Sequence, residues 1–261
     1  MSLSLSSNWK CSWASIILVF GILIQSSFGI SRSCQAQGVI KSYGGKSYTV
    51  YQVDLSREQL EILSRGNDGT RFRNAGAIKS FAEAQGKRLV FATNAGIFGK
   101  SFVPLGLLVE KGRRLVPLNT ADGQGNFYMK PNGVFYITER TGSIVGTKAF
   151  DPKMNVDYAS QSGPILVDAG TINSSFDPNS RNRLVRSGVG VREQSQILFA
   201  ISNEPVSFNE FAVLFKDGLR CKSALYLDGV ISVMYAADLG REQISGDFAA
   251  MFAVFGEPHA N

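Results

Sequence analysis

Histidine is almost absent from this chain of 261 residues, and its single copy, His259, lies two residues from the carboxyl end. A Ser-His-Asp triad, a zinc-protease helix or a three-histidine metal site would each need histidines that the sequence lacks. Familiar catalytic motifs are missing too, because no GxSxG, GxGxxG, Walker or CxxC pattern occurs. General acid–base chemistry would therefore depend on carboxylates, lysine, tyrosine or cysteine.

The chain also has few cysteines and no dense run of basic residues. Cys11 falls in the amino-terminal segment, so Cys34 and Cys221 remain for one bridge at most, which cannot define a disulfide scaffold. The formal charge is +6 but is not concentrated, which argues against a nucleic-acid partner. With 44% hydrophobic and 18% charged residues, the composition is ordinary for a folded globular protein.

The amino-terminal apolar run, Ala14–Ile24, is too short to cross a membrane comfortably. A spanning helix needs about twenty apolar residues, and this run has about half of that. Lys10 precedes it and a small, polar stretch follows, which is typical of a secretory signal peptide. We expect residues 1–36 to be that signal, cleaved after Gly29 or after Ala36, and the protein to be periplasmic or extracellular. An uncleaved membrane anchor is the alternative.

The remaining residues, 37–261, are predicted to fold as a single α+β domain with a mixed, mostly antiparallel β core flanked by a few helices. Apolar and β-branched runs bounded by turn residues predict the strands. These strands are Tyr48–Leu55, Leu89–Thr93, Ile165–Asp168, Gln196–Ser202, Ala224–Leu227 and Phe248–Phe255.

Two helices and a hairpin are predicted from local signals. Ala77–Gln85 has apolar residues at near-helical spacing. Ser207 and Glu210 form a capping-box pattern, in which each side chain can bond the other's backbone N–H, and so predict the start of a second helix. An intervening Pro-Asn-Gly turn predicts that Asn126–Lys130 and Val134–Thr138 pair as a hairpin.

Two predicted strands end in a polar residue followed closely by glycine. Asn94 comes directly after one strand, two residues before Gly96, and Asp228 comes directly after another, just before Gly229. A strand end holds a side chain on a rigid platform, and glycine lets a ligand approach the backbone. Both positions are therefore candidate ligand sites, with plain turns as the alternative.

Three arginines close together in the sequence offer a candidate anion site. In an extended strand, Arg186 would share a face with Gly188 and Gly190, while Arg181 and Arg183 would point the other way. An arginine beside positions without side chains can grip a phosphate or carboxylate with its fork of donors. A solvated arginine on an edge strand fits the same pattern, and the residues alone do not decide between the two.

Eight short segments, taken in order, resemble the phosphodiester glycosidase family. The resemblance covers about residues 45–256 and is carried by the ordered set, since each segment alone is unspecific. The segments are Asn94-Ala95-Gly96-Ile97-Phe98, Pro104-Leu105-Gly106-Leu107, Leu118-Asn119, Gly125-Asn126-Phe127-Tyr128, Pro131-Asn132-Gly133-Val134-Phe135, Gln161-Ser162-Gly163-Pro164, Arg186-Ser187-Gly188-Val189-Gly190 and Leu227-Asp228-Gly229. The family includes the enzyme that uncovers mannose 6-phosphate by removing N-acetylglucosamine from a phosphodiester, and this chain looks closer to its small exported bacterial branch.

The resemblance implies a hydrolase that cleaves a sugar-1-phosphodiester bond, and no cofactor is expected. No ligand spacing in the sequence suggests a bound metal, although its Asp and Asn residues do not exclude one. Arg186 would hold the phosphate, and Asp228 would serve the anomeric carbon as base or nucleophile. The remaining residues implied in substrate binding are Asn94, Gly96, Ser162, Gly163, Gly188, Gly229 and Ser232. Val230 and Ile231 replace glycines of the family pattern and should narrow the pocket beside Asp228.

The implied chemistry agrees with the shortage of histidine. The leaving group would be a phosphomonoester, whose second pKa of about 6 makes a strong general acid dispensable. A cation on the phosphate and a carboxylate at the anomeric carbon are what this reaction needs. A non-catalytic envelope protein that binds a glycan or glycolipid with the same fold is the alternative, because a fold does not fix a function.

Overall fold

The computed structural model describes residues 37–229 and 231–257. The predicted signal peptide, Cys34 and Val230 therefore lie outside the described residues. Seventeen strands form in the described part of the chain. They are β1 (Gln37–Tyr43), β2 (Lys46–Asp54), β3 (Leu60–Leu63), β4 (Arg88–Asn94), β5 (Leu108–Glu110), β6 (Arg113–Val116), β7 (Gly133–Thr138), β8 (Thr141–Gly146), β9 (Tyr158–Ser162), β10 (Ile165–Asp168), β11 (Thr171–Ile172), β12 (Ser187–Glu193), β13 (Gln196–Ser202), β14 (Ser223–Asp228), β15 (Met234–Ala236), β16 (Arg241–Glu242) and β17 (Met251–Gly256).

Helices are few and short in the same residues. Two are α-helices, α1 (Ala75–Glu83) and α2 (Phe208–Val213), and a π-helical turn continues α2 over Leu214–Gly218. The 3₁₀ turns are Lys100–Phe102, Asn126–Tyr128 and Ala237–Leu239. None of the helices formed by residues 37–229 and 231–257 is long and apolar enough to span a membrane.

The strands form three sheets. One has seven strands in the order β1-β2-β13-β12-β14-β10-β11, and two have five, in the orders β16-β15-β4-β17-β3 and β6-β5-β9-β7-β8. Every strand pairing found among the described residues is antiparallel. The expected mostly antiparallel core is confirmed, but the α+β class with a mixed sheet is not, and the fold is β-rich. Parallel strands need long crossovers, usually helical, which these short α-helices do not supply.

Both faces of the seven-stranded sheet are buried at its central strands, whereas the edge strand β1 exposes Val39 and Ile40. On one face Tyr51 of β2 stacks on Phe91 of β4 with ring centroids 4.2 Å apart, which joins this sheet to one of the five-stranded sheets. On the other face Leu198 of β13 packs with Phe211 of α2. Burial on both faces explains why Gln196–Ser202 is almost continuously apolar, and the predicted strand is confirmed with the same bounds.

Side-chain caps set the starts of both α-helices. The Asn74 side chain accepts from the Ala77 N–H, so α1 begins at Ala75, two residues before the predicted start. The capping box of Ser207 and Glu210 is confirmed, with each side chain accepting a hydrogen bond from the other residue's backbone N–H.

The predicted hairpin partner of Val134–Thr138 is wrong. Asn126–Tyr128 is a 3₁₀ turn, and β7 pairs instead with β8. The Phe127 carbonyl instead accepts a hydrogen bond from the Asn132 side chain at 3.1 Å, so this backbone group is satisfied without a strand partner. The actual turn contains Glu139 with a φ of 55°, a position where the sequence offers no glycine signal.

Candidate active site

Strand ends from two sheets meet at the hydroxyl of Ser187, the first residue of β12. Asn94 ends β4 and Asp228 ends β14, and Ser187 is paired with Asp228 across the sheet. Ser187 Oγ lies 3.0 Å from Asn94 Nδ2, 3.1 Å from Asn94 Oδ1 and 3.3 Å from the Asp228 carbonyl oxygen. Ser232 Oγ joins this cluster, because it donates to the same carbonyl at 2.9 Å and lies 3.2 Å from Ser187 Oγ.

The structure thus brings together three predicted site residues, Asn94, Asp228 and Ser232, through a serine that sequence reasoning missed. Nothing in the sequence marks Ser187 except its place between Arg186 and Gly188. Asn94 and Ser187 are buried, so their mutual hydrogen bonds replace those that water would make. The cluster fixes the backbone around Asp228.

Asp228 is only 7% exposed, at the carboxyl end of a buried strand. Its Oδ1 accepts a hydrogen bond from the Gly229 N–H at 2.6 Å. This contact holds the carboxylate against the turn that follows β14 and limits its rotation. Val230 and Ile231 are the two residues expected to narrow the space beside Asp228. Val230 lies outside the described residues, and Ile231 is 41% exposed.

Arg186 lies just before β12 and is completely buried. Its Nε donates to the Val206 carbonyl at 2.9 Å, and Nη2 lies 3.1 Å from the Asn182 carbonyl oxygen and 3.3 Å from Asn182 Oδ1. Nη1 donates to Tyr226 Oη at 3.4 Å. A guanidinium has five N–H donors, so these contacts leave one N–H of Nη1 for a ligand. The bidentate contact between the Arg186 guanidinium and a ligand that the sequence suggests would require Asn182 to move away from Nη2.

The environment of Arg186 is aromatic rather than acidic. Its guanidinium carbon lies 3.8 Å from the ring centroid of Phe208 and 5.6 Å from that of Tyr226. Among residues 37–229 and 231–257, no carboxylate lies within salt-bridge distance of it. Burial lowers the pKa of Arg186, an effect that the nearby Tyr226 only partly offsets, but a guanidinium remains charged in proteins. The site therefore holds a desolvated positive charge.

The alternative of a solvated edge-strand arginine is wrong. β12 lies between β13 and β14, so it is a central strand, and Arg186 has no exposed surface. Arg181 and Arg183 are exposed, and Arg183 forms a 2.6 Å salt bridge with Glu210 of the capping box. The residues before Ser187 form only an isolated bridge at Leu184, so the single extended strand expected for this stretch begins later.

Tyr226 is a second residue of the site that the sequence did not indicate, because it lies inside the apolar run of β14. Its hydroxyl accepts from Arg186 Nη1 and from Asn126 Nδ2, each at 3.4 Å. Burial is the main cause that raises the pKa of Tyr226, so the phenol stays protonated. A Cβ placed on Gly229 would lie 2.0 Å from Tyr226 Oη and 3.5 Å from Arg186 Nη1, so glycine is required there.

The other predicted glycines and Ser162 have structural explanations. Gly96 has a φ of 131°, which side chains rarely tolerate. A Cβ on Gly188 would lie 3.0 Å from rings of the helix and turn that cover it, and a Cβ on Gly163 would lie 2.6 Å from the Asn132 Cβ. Ser162 Oγ donates to the Leu227 carbonyl at 3.3 Å, which ties β9 to the end of β14. Substrate contacts at these positions stay predictions.

Gln161, which precedes Ser162, fixes the neighbouring loop. Its Oε1 accepts from the Leu107 and Asn119 N–H groups at 3.0 and 2.9 Å, and its Nε2 donates to the Asn119 carbonyl at 2.7 Å. Nε2 also donates to Thr147 Oγ1 at 3.1 Å.

In the described part of the chain, no group of three or more His, Cys, Asp or Glu residues has the arrangement of a metal site.

A sequence profile of the phosphodiester glycosidase family matches residues 87–254, which contain the whole cluster described above. The match spans more than half of the chain, so this protein belongs to the phosphodiester glycosidase family, and the resemblance seen in the sequence is confirmed. The chain is 36% identical over 185 residues to the uncharacterized protein YigE of Escherichia coli strain K12. That alignment covers 71% of this chain and 72% of YigE.

Solved structures show the same fold. The catalytic domain of zebrafish N-acetylglucosamine-1-phosphodiester alpha-N-acetylglucosaminidase, auto-inhibited by its pro-peptide, superposes with a TM-score of 0.62 at 14% identity, covering 86% of this chain and 84% of that one. A hypothetical protein from Synechocystis superposes with a TM-score of 0.51 at 15% identity, covering 84% of this chain and 61% of that one. At such low identity the likeness concerns the fold alone.

Proposed function

We propose that this protein hydrolyses a sugar-1-phosphodiester bond, with Arg186 holding the phosphate and Asp228 serving the anomeric carbon. The observation that carries the proposal is the buried guanidinium of Arg186, which has no carboxylate within salt-bridge distance in the described part of the chain. A buried charge is costly unless an opposite charge compensates it. A phosphodiester supplies that charge, and membership of the phosphodiester glycosidase family supports this ligand class.

Arg186 and Asp228 can act on one substrate because Gly229 lies next to both of them. Gly229 follows Asp228 directly, and the position of its missing Cβ lies 3.5 Å from Arg186 Nη1. A ligand phosphate at Nη1 would thus have its sugar carbon near the Asp228 carboxylate. Asn94 and Ser232, which support the same turn through Ser187, would position the sugar or the phosphate oxygens.

The proposed reaction breaks the bond between the anomeric carbon and the bridging phosphate oxygen. A water oxygen becomes bonded to the anomeric carbon, either directly with Asp228 as base or after a glycosyl–Asp228 intermediate. The electron pair of the broken bond leaves with the phosphomonoester, whose second pKa of about 6 makes it a good leaving group. Arg186 stabilises the charge that develops on this phosphate.

A glycan- or glycolipid-binding protein without catalysis is the second candidate. The observation that favours it is the 2.6 Å hydrogen bond from the Gly229 N–H to Asp228 Oδ1, a local side-chain-to-backbone contact that stabilises the turn without any ligand. Such a protein would bind glycans saturably without forming product.

The test is turnover of a panel of aryl sugar-1-phosphodiesters by the purified full chain in water enriched in ¹⁸O. Our proposal predicts free sugar and an aryl phosphate that carries no ¹⁸O, because water attacks carbon. Label in the phosphate would indicate a phosphodiesterase instead. Saturable binding of the panel without any product would indicate the binding protein.

We also propose that the protein is exported, on the basis of the apolar run Ala14–Ile24 and the preceding Lys10. Amino-terminal sequencing of the protein isolated from the cell envelope should give a mature chain that begins between Ile30 and Gly38. An intact Met1 in membrane pellets would indicate an uncleaved anchor.

A further inference from the structure

The hydroxyl of Tyr226 lies at the point where the Arg186 guanidinium, the 3₁₀ turn at Asn126 and the Asp228 turn approach one another. It accepts hydrogen bonds from Arg186 Nη1 and Asn126 Nδ2, both at 3.4 Å. Its third neighbour is the backbone of Gly229, close enough that a Cβ there would lie 2.0 Å from Oη.

In the described part of the chain, no residue accepts a hydrogen bond from the Tyr226 hydroxyl. A phenolic oxygen can accept two hydrogen bonds and donate one. Arg186 Nη1 and Asn126 Nδ2 are both donors, so they use the accepting capacity of Oη. Among residues 37–229 and 231–257, no acceptor for its O–H is found, although the side chain is completely buried. Buried hydroxyl groups normally donate as well as accept.

We propose that Tyr226 is a further substrate-binding residue, whose O–H donates to a phosphate oxygen of the ligand beside the remaining N–H of Arg186. This assignment rests on the proposed function and names the second donor of its phosphate site. A neutral O–H next to a guanidinium N–H suits one phosphate oxygen, because both donors then converge on the same negative charge.

Two further observations agree with this role. Burial raises the pKa of Tyr226, which keeps the proton on the phenol at neutral and mildly alkaline pH. Asn126 is half-buried, and its 3.4 Å contact with Oη, like the equally long one of Arg186 Nη1, lies near the upper limit for a hydrogen bond. Displacement of Asn126, which is the most exposed of the three neighbours, would open the buried hydroxyl to a ligand.

The experiment measures binding of inorganic phosphate by calorimetry, together with kcat/KM for an aryl sugar-1-phosphodiester, in Tyr226→Phe and Tyr48→Phe. Tyr48 is the matched control, since it is a buried tyrosine of the same hydrophobic cluster and stacks on Phe211 with centroids 6.3 Å apart. We expect Tyr226→Phe to weaken phosphate binding and kcat/KM by about ten- to a hundredfold, the usual effect of a hydrogen bond to a charged group. Tyr48→Phe should change neither by more than about twofold.

Two further variants distinguish a Tyr226 hydroxyl that donates to phosphate from one that only supports the position of Arg186. Asn126→Ala leaves the O–H in place, so it should retain phosphate affinity, and a loss as large as that of Tyr226→Phe would overturn the assignment. If Tyr226 only oriented the guanidinium of Arg186, it would have no function in Arg186→Lys, because that variant has no guanidinium at this position. If adding Tyr226→Phe to Arg186→Lys leaves phosphate affinity unaltered, the donor role is wrong.

The outcomes for Tyr226 and for the hydrolase are distinguishable. Equal phosphate affinity of wild type and Tyr226→Phe, or no phosphate binding by the wild type at millimolar concentrations, would overturn the role of Tyr226 even if the wild type hydrolyses phosphodiesters. Weakened phosphate binding in Tyr226→Phe, with no turnover of any phosphodiester by the wild type, would retain the phosphate site and overturn the hydrolase.

Discussion

Gly229 and Tyr226 should be energetically coupled, because the absence of a side chain at one makes room for the hydroxyl of the other. A Cβ on Gly229 would lie 2.0 Å from Tyr226 Oη, far inside van der Waals contact. Overpacking of a buried site typically costs about 1–3 kcal/mol. We therefore expect Gly229→Ala to lower the free energy of unfolding by about that amount.

Removing the hydroxyl should relieve most of this cost. In Tyr226→Phe the nearest ring atom to the new Cβ is Cζ, at 3.1 Å, so the remaining contact is tight but tolerable. The Gly229→Ala change should then cost at least about 1 kcal/mol less than it does beside tyrosine. The four proteins of this double-mutant cycle are compared by denaturant unfolding at equilibrium.

Gly146, the last residue of β8, provides the control for the general effect of replacing a glycine where a strand ends. A Cβ on Gly146 would meet no atom within 4 Å, so Gly146→Ala should be neutral or stabilise by up to about 1 kcal/mol. The reasoning is refuted if Gly229→Ala behaves like Gly146→Ala. It is also refuted if the effects of Gly229→Ala and Tyr226→Phe add within about 0.5 kcal/mol.

Three other substitutions test the site. Asp228→Asn keeps an oxygen that can accept from the Gly229 N–H, so the free energy of unfolding should change by less than about 1 kcal/mol. The amide cannot replace the carboxylate in catalysis, so kcat should fall about 10²- to 10⁴-fold. An unchanged kcat would remove Asp228 from the mechanism. Ser187→Ala should cost about 1–3 kcal/mol in denaturant unfolding, because buried polar groups lose a partner, and a neutral result would contradict its linking role. Arg183→Ala breaks an exposed ion pair with Glu210, so stability should fall by at most about 1 kcal/mol and kcat/KM should not change; a large loss of kcat/KM would move the anion site toward Arg183.

Local patterns predicted those elements whose burial is uniform along the sequence. Ile165–Asp168 and Gln196–Ser202 are strands with the predicted bounds, since they are apolar runs covered by the rest of the protein. The capping box of Ser207 was also predictable, because its hydrogen bonds join residues three apart. By contrast, the turn at Glu139 has no glycine, and the β7–β8 hairpin was missed for that reason.

The site itself depends on contacts between residues far apart in the chain. Ser187 and Asn94 are separated by 93 positions, and Tyr226 and Asn126 by 100. No local pattern distinguishes such a serine or tyrosine from a core residue. The sequence indicated Arg186 but left its surroundings open, because burial beneath Phe208 depends on where α2 packs.

The central claim, that Arg186 holds a substrate phosphate, is tested most directly by comparing two substrates in the same variant. We compare kcat/KM for an aryl sugar-1-phosphodiester and for the aryl glycoside of the same sugar, in Arg186→Lys and Arg186→Ala. Since both substrates meet the same protein, any general loss of folded protein cancels from the ratio of their kcat/KM values.

The phosphodiester should lose about ten- to a hundredfold in Arg186→Lys, the effect of a lost charge-assisted hydrogen bond, and more in Arg186→Ala. The glycoside, which has no phosphate, should lose little in either variant. An equal loss on both substrates would contradict the claim and leave Arg186 as a buried cation that supports only the fold.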